Sequence, residues 1–115
     1  AVFGVYRSPS SNVSQTRILL QHICSSAARY AADHILVLGD FNADVLNPLN
    51  AILSVLQQEL TMPLHLTTCH REPTTDAGTC LDHVYTTWPA ASYSAGTLNA
   101  YISDHYPAYI SLQAI

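Results

Sequence analysis

The sequence predicts an α/β fold of about six short strands and two helices. Three observations lead there. Strand-like, helix-like and strand-like segments follow one another over the first forty residues. A second apolar stripe at helical spacing runs from Leu49 to Leu60. After it come only short apolar runs, each ending in a polar corner.

Ala1–Tyr6 reads as the first strand, and Ser8-Pro9-Ser10-Ser11-Asn12 as a turn. Ser14 is the expected N-cap. From Gln15 to Ala31 the residues Leu19, Leu20, Ile23, Ala27, Ala28 and Ala31 recur at three- and four-residue steps, the mark of an amphipathic helix. Ile35–Leu38 is four consecutive branched or long apolar residues, a strand buried on both faces, with Gly39 expected to break it. Strand, helix, strand over this span makes a parallel crossover the default. Asn47 and Pro48 suggest an N-cap and first helical residue. Leu49, Ile52, Leu53, Leu56 and Leu60 form the helix's stripe, and Pro63 is expected to end it. Leu64–Leu66 suggests a short strand, 71–79 a loop, Leu81–Thr86 a strand and Tyr93–Ile102 a looser one. Ser103-Asp104-His105 is a polar corner, and Tyr106–Leu112 is the last strand, with Pro107 tolerated near its start.

The 115 residues suffice for one small core, and 49% hydrophobic against 10% charged residues excludes a disordered tail or a coiled coil. No apolar run reaches membrane-spanning length. Net charge is −4, and the only lysine or arginine side chains are Arg7, Arg17, Arg29 and Arg71, so the basic face of a phosphate-gripping protein is missing. Either the partner is no polyanion, or metal ions and a further segment supply the positive charge. Three cysteines are a poor disulfide framework, so a reducing, intracellular setting (nucleus or cytoplasm) is expected, with no membrane partner. The chain opens without Met and inside a strand, as a piece of a longer one does.

Polar pairs recur at strand ends: Asp40 and Asn42, Asp82 and His83, Asp104 and His105. Side chains carried on rigid sheet ends can converge. Carboxylates, histidines and an amide are what metal-assisted phosphoester hydrolysis requires. Oxygen ligands suit a hard ion, a carboxylate can deprotonate water, and a histidine can donate to a developing phosphoryl charge. A second carboxylate can orient that histidine.

Leu38-Gly39-Asp40-Phe41-Asn42, Leu81-Asp82-His83 and Ser103-Asp104-His105-Tyr106-Pro107 together resemble the later motifs of the endonuclease/exonuclease/phosphatase superfamily. The spelling is most similar to the endonuclease domains of LINE-type retrotransposons, with Tyr6 before a Pro turn matching the motif ahead of them. The resemblance covers essentially the whole chain but only the later portion of a single such domain, residues 1–115. It implies part of a four-layer α/β sandwich of mixed sheets (DNase-I-like). It implies magnesium, with manganese as a substitute, and DNA as partner, nicked by the complete domain. By the same resemblance Asp40 would activate the water and Asn42 would bond the phosphate or that water. Asp104 would join the metal site, and His105 would contact the phosphate. Asp82 would orient His105, and Tyr6 would reach the phosphate or support the leaving group. The family's early Asn and metal-ligating Glu have no counterpart, so the upstream half of the domain is an expected partner, and the retrotransposon branch would add a reverse transcriptase. The chain alone is expected to be nearly inactive and to associate through an uncovered sheet.

Blander readings stand beside these. Asp40 and Asn42 also suit a turn, and Tyr6 could be a packing residue. His83 falls on the opposite face from Asp82 by alternation and reads as structural. Cys69, His70, Cys80 and His83 could hold zinc, although no Cys-x-x-Cys pair is present. Tyr85, Trp88 and Tyr93 read as half-buried rim residues or as a surface for stacking bases. A phosphatase or phospholipase of the same superfamily, and a catalytically inactive remnant acting as an interaction domain, are the alternatives to an endonuclease.

Overall fold

The structure, a computed structural model, describes residues 1–29, 34–98 and 104–112. The first unit is β1 (Val2–Tyr6), α1 (Val13–Arg29) and β2 (Leu36–Asp40). β1 and β2 pair in parallel, with Val2 opposite Leu36 and Tyr6 opposite Asp40. Asn12, rather than Ser14, caps α1. Its Oδ1 accepts the Gln15 N–H at 2.8 Å, and Gln15 Oε1 accepts the Asn12 N–H at 2.9 Å. This reciprocal pair satisfies two amide donors that a serine hydroxyl two residues later could not. The expected end of the helix at Ala31 lies outside the described residues.

Gly39 does not break β2 but lies inside it. A Cβ there would sit 1.8 Å from the Val5 carbonyl oxygen, so only glycine lets β1 pair this closely. The strand therefore runs on to Asp40 and delivers that carboxylate at its end.

α2 (Ala51–Leu56) begins later than Asn47 and Pro48 suggest. Its cap is Asn50, whose side chain accepts the Ile52 N–H at 3.0 Å, while Asn47 makes a turn onto the Leu49 N–H at 3.1 Å. Pro63 does not end the helix either. α2 widens into a π-helical turn, Gln57–Thr61, and closes with Met62–Leu64. Proline cannot donate to the carbonyl four residues back, Glu59. The Cys24 thiol of α1 donates to that oxygen instead, at 3.2 Å. His65, at φ 55°, then terminates the turn, which displaces the expected strand at Leu64–Leu66 to β3 (Thr67–Thr68).

β4 (Asp82–Thr86) lies antiparallel to both β2 and β3, giving the mixed order β1-β2-β4-β3. β5 (Tyr93–Thr97) and β6 (Ala108–Leu112) form a separate antiparallel pair. The expected strand stretch at 99–102 and Ser103 lie outside the described residues.

The two faces of the larger sheet are covered differently. Phe3, Val5, Val37 and Tyr85 point to the helices and pack with Leu20, Ile23, Ala27, Leu56 and Leu60. Tyr85 is thus a core residue, not a rim residue: it is 3% exposed. On the other face Leu38 and Val84 line a cleft of about 350 Å³ shared with Pro107 and Ala108 at the start of β6. Towards β1 that face is open, and Val2 and Tyr6 are 69% and 67% exposed. Among the described residues no helix is long and apolar enough to cross a membrane.

Candidate active site

The register of β2 and β4 sets Asp40 directly opposite Asp82. Like charges facing each other across a strand pair are destabilising, so this placement costs the sheet stability unless a third group offsets it. His105 is that group. Its Nδ1 lies 2.7 Å from Asp82 Oδ2, and its Nε2 lies 3.9 Å from Asp40 Oδ2. The pairing of Asp82 with His105 is the one the resemblance implied. Ligand atoms of Asp40, Asp82 and His105 all fall within 4.8 Å of one another.

The electrostatics follow from this crowding. The Asp82 hydrogen bond, reinforced by the charges of Asp82, Asp40 and Asp104, holds His105 above its ordinary value against the opposing effect of burial. Burial, with Asp82 and Asp104 adding repulsion, holds the Asp40 carboxyl above its ordinary value, although the Asn42 N–H and His105 pull the other way. A raised carboxylate beside a histidine favoured in its charged form is a combination suited to general acid–base work.

Asn42 stands beside this cluster. It adopts φ 48°, a conformation asparagine tolerates, and its backbone N–H donates to Asp40 Oδ1 at 2.9 Å. Its Nδ2 donates to the Arg7 carbonyl at 2.6 Å, which fixes the carboxamide next to Asp40. Tyr6 is Asp40's neighbour across β1 and β2 and shares its face, exposed at the strand end. Asp104 is exposed and lies outside the grouping of possible metal ligands; its charge nonetheless reaches Asp40 and His105.

The zinc arrangement does not form: among the described residues, the one grouping able to hold a metal is Asp40, Asp82 and His105. Cys69 donates to the Val84 carbonyl at 3.1 Å, and Cys80 lies 3.6 Å from His70 Nδ1. Burial raises these thiols to about 11 and about 12, so both are protonated side chains in this fold. His83 is structural, as its place in the strand suggests. It is fully buried, stacks on Phe41 at 4.9 Å, and lies 2.6 Å from the Ala43 carbonyl and 2.7 Å from the Tyr85 hydroxyl. Nε2–H donates to the carbonyl, and Nδ1 accepts from the phenol.

Arg7 is a residue whose part the sequence reading missed. It is 5% exposed, and it donates to Thr16 Oγ1 at 2.9 Å, the Phe41 carbonyl at 3.1 Å and the Ser11 carbonyl at 2.7 Å. Its backbone N–H adds a bond to the Asp40 carbonyl at 2.8 Å. The guanidinium therefore braces the turn carrying Asp40 and Asn42. Its sequence signal was faint: an arginine just after the first strand in a chain with few cations. Asp44 is a similar brace, accepting the Cys80 N–H at 2.9 Å.

No protein-family model matches the sequence, and no curated protein does. Solved structures do. The Haemophilus ducreyi cytolethal distending toxin superposes with TM-score 0.62 and 24% identity over 98% of this chain and 48% of that one. A conserved protein of unknown function from Enterococcus faecalis V583 gives 0.64 and 16% over 97% and 50%. An endonuclease/exonuclease/phosphatase family protein from Bacteroides thetaiotaomicron gives 0.57 and 15% over 93% and 46%. The chain has their fold. That fold is a DNase-I-like α/β sandwich of mixed sheets, and the chain spans about half the length of the structures it matches. In that fold the Asp40–Asp82–His105 cluster stands where β2 ends and β4 begins, at one end of the two central strands of the larger sheet.

Proposed function

We propose that this chain is the later portion of a metal-dependent phosphodiesterase domain that nicks DNA, of the retrotransposon endonuclease type. The observation that carries the reading is His105, bonded at 2.7 Å to Asp82 and directed at Asp40 across 3.9 Å. Asp82 keeps the imidazole oriented and favours its charged form. Nε2 is then the atom that would donate to a phosphoryl oxygen. Asp40, raised by burial, accepts a proton from the attacking water, and Asn42 and Tyr6 border the same position.

The donor set fits magnesium, or manganese, better than a soft metal, because the acidic members offer hard oxygens. Two facing carboxylates, with Asp104 nearby, also leave local negative charge that a divalent cation would offset. Asp104 is the residue assigned to hold it, beside the grouping of Asp40, Asp82 and His105. When bound, the ion supplies charge stabilisation at the phosphoryl group. We assign the uncovered β1 side of the sheet to the upstream half of the same domain, and we place a reverse transcriptase elsewhere in the complete chain. The setting is intracellular, nucleus or cytoplasm.

One observation favours a second reading, a phosphatase or phospholipase acting on a small phosphoester. Of the four arginines, Arg7 is buried and Arg17 pairs with Glu59 at 3.5 Å, which leaves little cationic surface for a nucleic-acid backbone. The test is nicking of supercoiled plasmid with magnesium or chelator, by the chain alone and with the upstream half supplied, beside Asp40→Ala and His105→Ala. Magnesium-dependent nicking by the completed domain, lost in both variants, is expected; the chain alone should be nearly inactive. Turnover of a small phosphoester without nicking would favour the second reading. No hydrolysis of either substrate would leave a non-catalytic interaction domain.

A further inference from the structure

The loop between β3 and β4, which the sequence presents as a featureless connection, is tied to the site from both sides. Thr74 is fully buried. Its hydroxyl oxygen accepts the N–H of Leu81 at 3.1 Å and of Asp82 at 3.3 Å. Its carbonyl accepts the N–H of Tyr106 at 2.7 Å. Thr75 forms an antiparallel bridge with His105. Asp76 N–H donates to the Asp104 carbonyl at 3.1 Å, and Asp76 Oδ1 accepts the Tyr106 hydroxyl at 2.7 Å. One short stretch therefore holds the backbone of Asp82 by a side chain and the backbone of 104–106 by main-chain bonds.

This connection matters because Asp82 and His105 come from different parts of the fold. Asp82 opens β4, whereas His105 precedes β6, which belongs to the other sheet. No strand register fixes one against the other. A hydrogen bond of 2.7 Å between groups so placed needs a third element that sets their separation.

We propose that residues 74–76 act as a clamp that holds the Asp82–His105 pair, with Thr74 as its principal positioning residue. Thr74 acts through the backbone on which both are mounted. The proposal rests on the reading of His105 as a catalytic group only for its consequence in turnover, since the clamp itself is a matter of geometry.

The measurement, made at a pH high enough for the His105 ring to be neutral, is the tautomer of that ring, read from its nitrogen chemical shifts in a long-range proton–nitrogen NMR experiment. Pairing with Asp82 fixes the proton on Nδ1, whereas an unrestrained imidazole favours Nε2. Wild type and Thr74→Ser, which keeps the accepting oxygen, are expected to show the Nδ1-protonated form. Thr74→Val keeps the size but not the acceptor and is expected to shift the population towards Nε2 by about threefold or more. Tyr106→Phe removes the hydroxyl's exposed tie to Asp76 and leaves the buried core in place. It should shift the ring the same way to a smaller extent, and it stands in if Thr74→Val fails to fold. Unchanged tautomers in Tyr106→Phe and in a folded Thr74→Val overturn the clamp, as does an unchanged Tyr106→Phe where Thr74→Val does not fold. A shifted tautomer in a domain that hydrolyses no phosphoester leaves the clamp standing and removes the phosphodiesterase reading, so the two failures are distinct. In an active domain Thr74→Val should lower kcat about tenfold or more with little change in KM, and Thr74→Ser should restore it.

Discussion

Acidification should weaken this fold through one buried ring. His83 is fully buried against Phe41, gives one nitrogen to the Ala43 carbonyl and receives the Tyr85 hydroxyl on the other. Burial lowers it from 6.5 to about 4, against the pull of its backbone partners and Asp82. The neutral ring is therefore the folded form. As pH falls below 6.5 the unfolded chain takes up a proton that the folded chain refuses, so stability declines until about pH 4 and then levels. At ~1.4 kcal/mol per pH unit the loss across that window is about 3 kcal/mol. That is a large part of what a small domain possesses. His105 does not confuse the measurement. Its raised value gives a contribution fully present below 6.5 and lost only as pH rises through the folded value. Asp40, also raised, acts at the acid end with the opposite sign to His83, and it is common to the protein and its variant. The assay is urea unfolding followed by circular dichroism from pH 7 to pH 4, for wild type and His83→Gln. The wild type should lose about 3 kcal/mol more than the variant over this range. Parallel curves would refute the reasoning, because they would mean that the ring is hydrated or charged in the fold.

Three further outcomes are expected. Asp82→Asn, measured in the completed domain, removes a charge-assisted hydrogen bond of ~1.5–3 kcal/mol and should cut kcat by one to two orders of magnitude; nitrogen NMR of His105 should show its titration moving down towards the ordinary histidine range. Gly39→Ala places a Cβ 1.8 Å from the Val5 oxygen, so β1 must separate from β2; thermal unfolding should show a loss of several kcal/mol, about 3 or more, or no folded protein. Val2→Lys, on the uncovered face, should reduce self-association in analytical ultracentrifugation without moving the unfolding midpoint by more than about 0.5 kcal/mol.

The parts of the fold legible in the sequence were those set by burial patterns. The β1–α1–β2 unit follows from an apolar strand on each side of an amphipathic stripe, and β4 from a short apolar run. Boundaries were less legible, because several residues competed for each role. Asn12 and Ser14 are both good caps, and only the reciprocal bond with Gln15 decides. Asn47 and Asn50 pose the same choice. Pro63 is a helix stop by local rules, yet the helix runs on to Leu64 through a π-helical turn, and a thiol from another helix reaches the Glu59 carbonyl four residues before the proline. For the candidate site, Asp40, Asn42, Asp82 and His105 could be read because each sits in a short motif at a strand end. Thr74 and Arg7 could not: a buried polar residue in a connection carries no periodicity, and most of its partners are backbone groups, which no side-chain pattern marks.

The rings at the far end of β4 have a practical use. Trp88 is the sole tryptophan, and it packs 4.8 Å from His34. It follows β4, whereas Asp82 opens that strand, so the length of the strand, ~14 Å at about 3.4 Å per residue, lies between them. Its emission therefore works as a built-in optical gauge of folding that substitutions at Asp40, Asp82 or His105 do not touch directly. Loss of fluorescence structure and loss of turnover can be followed in one cuvette, and a variant that loses only the second has been damaged in its chemistry, not in its fold.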